Sequence, residues 1–413
     1  MNQRITIDQL KRLHSQYGDS FYLFDKNTFI RNLHDFRSAF EKHYHNVQLA
    51  YSVKTNYIPA VIKLARQRGL LAEVVSGLEY ELVKRVGYQG NEIIFNGPVK
   101  DDEELCRAFE DDAVVQFDSR EEIRVLKQYL RRNPGKKVRC AVRCNFDIGE
   151  PERSRFGFDA ENGDAEDMYK DLFSIDGCVP IGIHCHFSTP HRSLNSFKKR
   201  TEKLIRFAQK VFSGRDLNYI NVGGGFFGPL PEHLSNQFSY ATPSFEDYGE
   251  TVAKLMDQQF PSQKPVLILE PGISVLASTM RFVCRVVSIK KIGKKQVITV
   301  TGSLHNIRPT HSSVEMPFHV MKMSPHENRV EGALIGGYTC VRNDILCSSF
   351  SGEIQTGDSI VFDHVGAYNI VFKPPFIRGA PAVLMIDEHN PGRDVEMIKE
   401  NETLDMMFAA YMF

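Results

Sequence analysis

The sequence predicts an α/β plus β protein: an N-terminal (β/α)8 barrel of the TIM type followed by a C-terminal β domain, either a β-barrel or a β-sandwich. Two patterns favour this architecture. From about residue 46 onward, eight short apolar runs alternate with amphipathic helical stretches over roughly 230 residues. After Gly272, short β-rich runs with Gly and Pro breaks replace this alternation. A length of 413 residues accommodates two domains.

Each predicted barrel strand is a short apolar run followed by a turn or a helical pattern. The eight runs lie at 47–53, 71–75, 92–95, 113–117, 137–143, 180–186, 219–222 and 266–270. The clearest helical spacings between them lie at 58–65, 121–131, 194–212 and 245–259. A doubly wound open sheet would show the same alternation, so periodicity alone does not separate the two architectures.

The C-terminal part is predicted to form a separate β domain. Its β-rich runs lie at 283–290, 296–301, 352–362 and 382–386, and residues 397–413 have the spacing of an amphipathic helix. The apolar run Phe21–Asp25 precedes the first barrel unit and is expected to join this domain. The predicted domains are therefore a barrel at 26–275 and a β domain at 276–413, joined by an N-terminal strand within 1–25.

Composition excludes several function classes. The 51 basic and 51 acidic side chains give a net charge of zero, which favours neither a nucleic acid nor an anionic membrane as the main partner. No apolar stretch predicts a signal peptide or a membrane span. None of the eight cysteines forms a Cys-x-x-Cys pair, so we expect reduced thiols in a cytoplasmic protein.

Residues suited to catalysis or ligand binding lie at the ends of four of the predicted barrel strands. Lys54 follows the first strand, His186 ends the sixth, Gly223–Gly225 follow the seventh and Glu270 ends the eighth. Because the active site of such a barrel lies at the carboxyl ends of its strands, these residues are expected to converge. Alone, each has a simpler explanation: the lysine can be a surface residue and the glycine run a tight turn.

The sequence around Glu270 and the two histidines indicates which ligands these side chains can bind. Glu270 follows an apolar run, so its carboxylate needs a hydrogen-bonding or cationic partner, either a ring nitrogen or a structural arginine. His184 and His186 lie on one face of a strand. Without a third ligand at a suitable spacing, a ring-stacking or core role is favoured and no metal is predicted.

These motifs, taken in order, resemble the alanine-racemase-fold, pyridoxal-phosphate-dependent amino-acid decarboxylases. Within that superfamily the sequence is more similar to diaminopimelate decarboxylase than to ornithine decarboxylase, through Val75–Gly77, the His-x-His pair and Arg308-Pro309. The resemblance extends from residue 21 to about 378. The motifs that establish it are Tyr51–Asn56, Glu73–Glu79, Gly182–His186, Gly223–Gly225 and Glu270–Gly272.

The resemblance implies pyridoxal 5'-phosphate as the cofactor and assigns residues to it. Lys54 would hold the cofactor as an imine, His186 would stack on its ring, and Glu270 would pair with its ring nitrogen. Gly223–Gly225 would bind the phosphate. The remaining residues assigned to the cofactor are Glu73, Arg143, Thr189 and Tyr368.

The resemblance also implies a homodimer with shared active sites. Cys340 would cross the dimer interface and return a proton to the α-carbon, with Lys54 or water as competing acids. A glutamate such as Glu270 keeps the ring nitrogen protonated and so favours decarboxylation, whereas alanine racemases typically place an arginine there. The residues expected to bind substrate are Arg308, Arg342, Asp344 and Phe376.

The sequence leaves two other functions to consider. A racemase on the same scaffold is opposed by Glu270. A catalytically inactive regulatory homologue is opposed by the retention of the whole implied catalytic set, which a regulator would not need.

Departures from the diaminopimelate decarboxylase pattern concern the substrate. Ile273 stands where an arginine is expected, Val341 where an acid is expected and Ser188 where a glycine is expected, and residues 311–313 lack an expected tyrosine. We therefore expect an amino acid or conjugate other than diaminopimelate, as in specialised decarboxylases of siderophore or antibiotic biosynthesis. Diaminopimelate decarboxylation in lysine biosynthesis is the alternative.

Overall fold

A computed structural model describes residues 5–262, 264–310, 314–372, 376–387 and 395–412 of the chain. Residues 311–313, where a tyrosine was expected, lie outside this part.

Up to residue 269, strands and helices alternate. In chain order, the elements are α1 (Ile7–Tyr17), β1 (Ser20–Asp25), α2 (Lys26–Glu41), β2 (Val47–Ser52), α3 (Pro59–Gln67), β3 (Leu71–Val74), α4 (Gly77–Val86), β4 (Ile93–Phe95), α5 (Asp102–Glu110), β5 (Val114–Phe117), α6 (Glu121–Arg132), β6 (Val138–Asn145), β7 (Phe158–Asp159), α7 (Asp164–Ser174), β8 (Cys178–His184), α8 (Leu194–Val211), β9 (Tyr219–Asn221), α9 (Glu232–Ser235), α10 (Phe245–Gln259) and β10 (Val266–Leu269).

From residue 273 onward, strands dominate. These elements are α11 (Ile273–Leu276), β11 (Met280–Ile292), β12 (Lys295–Val300), α12 (Leu304–Ile307), β13 (Phe318–Met321), β14 (Arg329–Gly336), β15 (Ile345–Glu353), β16 (Ser359–Phe362), α13 (Asn369–Phe372), β17 (Ala382–Ile386), β18 (Glu396–Lys399) and α14 (Leu404–Phe408).

Eight parallel strands close into a barrel, in the order β2-β3-β4-β5-β6-β8-β9-β10 and back to β2. The prediction of a (β/α)8 barrel is confirmed, and the open-sheet alternative is excluded because β5 pairs with β6 and β10 with β2. These strands are short apolar runs because both of their faces are buried. The side chains that pack in one of the barrel's core clusters are Ala50, Ile94, Val114, Ala141, Tyr219 and Ile268.

The second sheet is mixed and has nine strands among the described residues, with β1 between antiparallel β11 and parallel β17. Its core joins Leu10 and Leu13 of α1 to apolar residues of these strands, such as Phe21, Val283 and Leu384. The prediction of a β domain after the barrel is confirmed.

The chain divides into two compact units. The barrel unit comprises Leu33–Gly228 and Tyr240–Ser274, and the β unit comprises the described residues up to Asn32, Pro229–Ser239 and those from Val275 on. The segment Phe21–Asp25 belongs to the β unit through β1. The boundaries predicted at 26 and 275 stay a prediction.

Two local predictions in the β unit were wrong. The run at 352–362 is not one strand, because β15 ends at Glu353 and β16 begins at Ser359, after a turn at Gly357 with a φ of +94°. Residues 397–413 are not one helix. Residues 396–399 form β18, which pairs with β17, and the only described helix beyond them is the short α14.

Candidate active site

Lys54 and Glu73 form an ion pair at the carboxyl ends of β2 and β3. Lys54 lies in the 3-10 turn Val53–Thr55 directly after β2, and Glu73 is a buried residue of β3. The Lys54 Nζ lies 2.5 Å from Oε1 and 2.6 Å from Oε2 of Glu73. Glu73 therefore orients the amine, and its oxygens can accept a proton from it.

Glu79 is a second buried carboxylate beside this pair and was not predicted as a site residue. Ser76 caps the N-terminus of α4 by accepting the Glu79 N–H, and the Glu79 carboxylate accepts the Val75 N–H at 2.9 Å. Burial raises the pKa of Glu79 to about 7; the Val75 N–H opposes the rise and the charge of Glu73 adds to it. Its membership of the Glu73–Glu79 motif was the sequence signal.

Glu270 follows β10 and is held by two asparagine side chains. Its Oε1 accepts the side-chain N–H of Asn96 at 3.0 Å and of Asn221 at 2.7 Å, and it lies 3.5 Å from His184 Nε2. Its Oε2 is buried and has no hydrogen-bond partner among the described residues. The site therefore contains one orphaned acceptor that a ring N–H could satisfy.

The surroundings of Glu270 favour the charged form of this carboxyl group. Burial opposes ionisation of Glu270, but contact with His184 and the positive charge of Lys54 outweigh burial, so the pKa of Glu270 lies below its usual value. A carboxylate kept charged in this way favours a protonated partner at its free oxygen.

The glycine run forms a turn that lies directly against His186 and Glu270. A Cβ on Gly223 would overlap the His186 ring, and a Cβ on Gly224 would overlap the Glu270 carbonyl oxygen. Gly225 has a φ of +88°, which other residues adopt at a cost, and a Cβ there would be in ordinary contact with Ser188, at 3.9 Å. These requirements explain why three glycines occur in succession.

His186 is fixed by this turn as a neutral ring. Its Nδ1 accepts the Gly224 N–H at 2.7 Å. Burial lowers the pKa of His186 well below its usual value, and neighbouring Glu270 opposes this only in part. A neutral imidazole with one nitrogen engaged presents a flat face suited to stacking on another ring.

Arg143, in β6, holds the adjoining backbone. Its guanidinium donates to the His186 carbonyl at 2.7 Å and lies 3.5 Å from Asp118 Oδ1. It also lies over the Phe156 ring, 4.6 Å from the ring centroid. Arg143 therefore fixes the end of β8 and the loop after β6.

A cavity of about 660 Å³ opens beside these residues. It is lined by Arg143, His186, the loop 146–156 and the segment 187–190. Thr189 is buried in that segment, and its Oγ1 accepts the Arg192 N–H at 3.1 Å. The volume is that of a typical small-molecule site.

The remaining predicted residues belong to the β unit. Cys340 is an exposed thiol on the turn after β14. Tyr368 has a φ of +65° and packs against Phe372. Arg342 and Phe376 are exposed.

Asp344 and Arg308 make hydrogen bonds within the β unit. The buried Asp344 carboxylate accepts hydrogen bonds from Ser303 Oγ, the Leu304 N–H, and the N–H and Oγ1 of Thr339, at 2.6–3.1 Å. The Arg308 guanidinium donates to the Val314 carbonyl at 2.7 Å.

The donor set of the barrel unit fits pyridoxal 5'-phosphate. It combines an amine that can bond to an aldehyde, an orphaned carboxylate oxygen, a stacking imidazole and a glycine turn. Among the described residues, no group of three or more His, Cys, Asp or Glu side chains could hold a metal ion. No described helix is long and apolar enough to cross a membrane.

Comparison with known proteins decides the family. The model of the pyridoxal-dependent decarboxylases, pyridoxal binding domain, matches residues 26–277. The chain belongs to this family. It is therefore an amino-acid carboxy-lyase that depends on pyridoxal 5'-phosphate, of the alanine-racemase fold type and near the diaminopimelate decarboxylase group.

Individual relatives are similar over almost the whole chain. A diaminopimelate decarboxylase of Aquifex aeolicus is 26% identical over 410 residues, which cover 96% of this chain and 92% of that protein. The L-glutamyl-[BtrI acyl-carrier protein] decarboxylase of Niallia circulans is 25% identical over 425 residues, covering 98% and 96%. The crystal structure of a diaminopimelate decarboxylase of M. jannaschii has the same fold, with a TM-score of 0.86 at 22% identity, covering 100% of this chain and 97% of that one.

Proposed function

We propose that this decarboxylase acts on an amino acid, or an amino-acid conjugate, whose distal end differs from that of diaminopimelate. The main observation is Val341, a valine 45% exposed, directly after Cys340 where the resemblance expects an acid. Ile273 replaces an expected arginine as well. Without these two charged side chains, the distal amino and carboxylate groups of diaminopimelate have no oppositely charged partners at these positions.

The surroundings of Val341 favour an anionic conjugate. Arg342, the next residue, is exposed and forms no ion pair with any described residue. This turn therefore presents a positive charge, whereas the resemblance leads us to expect a negative charge at position 341. Phe376 and Arg308 are proposed as further substrate contacts. The Niallia circulans relative supports a conjugate, since its name describes a glutamyl group on an acyl-carrier protein. Such a substrate fits specialised metabolism, for example siderophore assembly.

We assign the cofactor contacts as follows. Lys54 would hold the cofactor through its amine, His186 would stack on the ring, and the free Oε2 of Glu270 would accept its ring N–H. When bound, pyridoxal 5'-phosphate supplies the electron sink that makes loss of carbon dioxide feasible. The residues assigned to the phosphate and the ring surroundings are Gly223–Gly225, Thr189, Arg143 and Tyr368.

Three groups of this chain manage protons in this proposal. Glu73 takes a proton from Lys54 Nζ across their 2.5 Å contact, which leaves the amine able to act as a nucleophile. The charged Glu270 keeps a proton on the ring nitrogen. The Cys340 thiol, proposed to enter the active site of a second copy of the chain, returns a proton to the substrate α-carbon.

A panel of amino acids tests the substrate. Carbon dioxide release is measured with diaminopimelate, lysine, ornithine, arginine, glutamate and a glutamyl thioester of a phosphopantetheine carrier. We expect kcat/KM for diaminopimelate to be at least about 100-fold below that of the best compound, because its charged end finds no partner. Efficient turnover of diaminopimelate would instead establish the lysine-biosynthesis alternative.

A gain-of-function variant provides the matched control. Ile273→Arg with Val341→Glu restores both expected charges, so we expect kcat/KM for diaminopimelate to rise while the cofactor absorbance stays unchanged. No rise would mean that these two positions do not determine specificity.

A further inference from the structure

Arg200 is a buried cation that none of the roles above uses. It lies in α8, is 2% exposed, and forms no ion pair with a carboxylate among the described residues. Its guanidinium donates to the Phe187 carbonyl at 2.8 Å and lies 3.5 Å from the Gly224 carbonyl oxygen. Its Nε is buried with no partner in the described part of the chain. A buried guanidinium with these contacts lacks a counter-charge.

Aromatic packing keeps this guanidinium in place. Its central carbon lies 4.2 Å from the centroid of the Phe197 ring and 5.4 Å from that of Phe187. Phe197 in turn stacks on Phe226, which follows the glycine turn, at a centroid distance of 4.5 Å. The cation is therefore fixed between α8 and the turn.

The two carbonyl contacts orient two backbone N–H groups. In a trans peptide the C=O and the following N–H point in opposite directions. Because Arg200 faces the carbonyl oxygens of Phe187 and Gly224, the N–H groups of Ser188 and Gly225 point away from it. The position of a Cβ on Gly225 would lie 3.9 Å from the Ser188 Cα, so the two peptides are neighbours. Neither N–H has a hydrogen-bond partner among the described residues.

Two adjacent N–H groups with a fixed cation behind them suit a dianion. The paired amides supply directional donors, and the buried charge adds attraction in a region of low dielectric. Desolvation lowers the pKa of Arg200, but a guanidinium stays protonated in proteins. Arg200 therefore keeps its positive charge, which a bound anion would balance.

We infer that Arg200 is a positioning residue for the phosphate of the cofactor, holding the Gly224–Gly225 and Phe187–Ser188 peptides from behind and supplying the charge that favours the phosphate dianion. This inference rests on the proposed phosphate site at Gly223–Gly225. It adds a residue of α8 and the Ser188 amide to that site.

Binding of two cofactor forms tests the inference. Dissociation constants of pyridoxal 5'-phosphate and of pyridoxal, which lacks the phosphate, are measured by absorbance titration for the wild type and Arg200→Met. We expect Arg200→Met to weaken pyridoxal 5'-phosphate by at least about tenfold and pyridoxal by less than about threefold. Arg206→Met, on the exposed side of α8, is the control and should change neither constant.

Equal losses for both ligands would overturn the inference in favour of a purely structural role, and an unchanged affinity for pyridoxal 5'-phosphate would overturn it outright. If Arg200→Met does not fold, Arg200→Gln keeps a hydrogen-bond donor without the charge. Phosphorus NMR of the bound cofactor should then show a dianion from pH 5 to 8 in the wild type and titration near pH 6 in Arg200→Gln. Identical profiles would contradict the inference. Failure of the proposed function would appear differently, as efficient turnover of diaminopimelate by the wild type, whatever the effect of the Arg200 variants on cofactor binding.

Discussion

At the scale of single residues, the site depends on side chains whose partners are distant in sequence. Asn96 and Asn221 both donate to Glu270, from positions 174 and 49 residues away. The positions of Lys54, His186 and Glu270 at the ends of strands could be predicted because each follows a recognisable apolar run, whereas their roles stay a prediction. The asparagines and Arg200 could not be predicted, because nothing in their local sequence distinguishes them from ordinary strand and helix residues.

Glu79 leads to a prediction about pH. Its folded-state pKa of about 7 lies above the ordinary value of 4.5, so the folded protein binds this proton more tightly than the unfolded chain. The resulting stability is fully present below about pH 4.5 and is lost as the pH rises through 7. We expect the free energy of unfolding of the wild type, relative to Glu79→Gln, to fall by about 3 kcal/mol between pH 4.5 and pH 8.

Urea unfolding of the protein without cofactor at both pH values measures this difference. Glu103→Gln, an exposed position in α5, is the control and should show no such trend. A constant difference between wild type and Glu79→Gln would show that this carboxyl group has an ordinary pKa.

At the scale of elements, the barrel strands were predictable because burial on both faces leaves a run of apolar residues in the sequence. The end of the β unit was not. Residues 397–399 belong to the predicted helix 397–413 but lie in β18, because pairing with β17 satisfies their backbone groups, and such non-local pairing overrides local periodicity. The surroundings of Asp344, a predicted substrate residue, were not predictable either, since its hydrogen bonds come from residues 5 to 41 positions away.

A buried ion pair joins three barrel elements and should be costly to break. Lys100, after β4, lies 2.8 Å from Glu122 of α6, and both side chains are buried. Lys100 also donates to the carbonyl of Gln116 in β5 at 3.3 Å. Lys100→Met leaves the Glu122 charge unpaired, so we expect a loss of about 3–5 kcal/mol in the free energy of unfolding.

Urea unfolding again measures the loss. The double variant Lys100→Met, Glu122→Leu removes both charges and should recover most of the stability. A loss below about 1 kcal/mol in the single variant would mean that water or another group compensates for the missing lysine.

At the scale of the whole molecule, we expect a dimer in which each active site uses a Cys340 from the other copy. This follows from the resemblance and from the exposure of the Cys340 thiol in the single chain. Lys54→Ala and Cys340→Ala should each be nearly inactive alone. After mixing under exchange conditions, hybrid dimers contain one intact site, so activity should return to about a quarter of the wild-type value.

Mixing two batches of Lys54→Ala is the control and should restore nothing. If size-exclusion chromatography shows dimers and subunit exchange but the mixture stays inactive, each site uses its own cysteine or another acid.

We propose above all that Lys54 holds pyridoxal 5'-phosphate at the carboxyl end of the barrel. The most direct measurement is borohydride reduction of the protein with bound cofactor, followed by peptide mass spectrometry. We expect loss of the visible absorbance band and a pyridoxyl group on the peptide that contains Lys54, with no band in Lys54→Ala. A pyridoxyl group on a different lysine, or an undiminished band in Lys54→Ala, would contradict it.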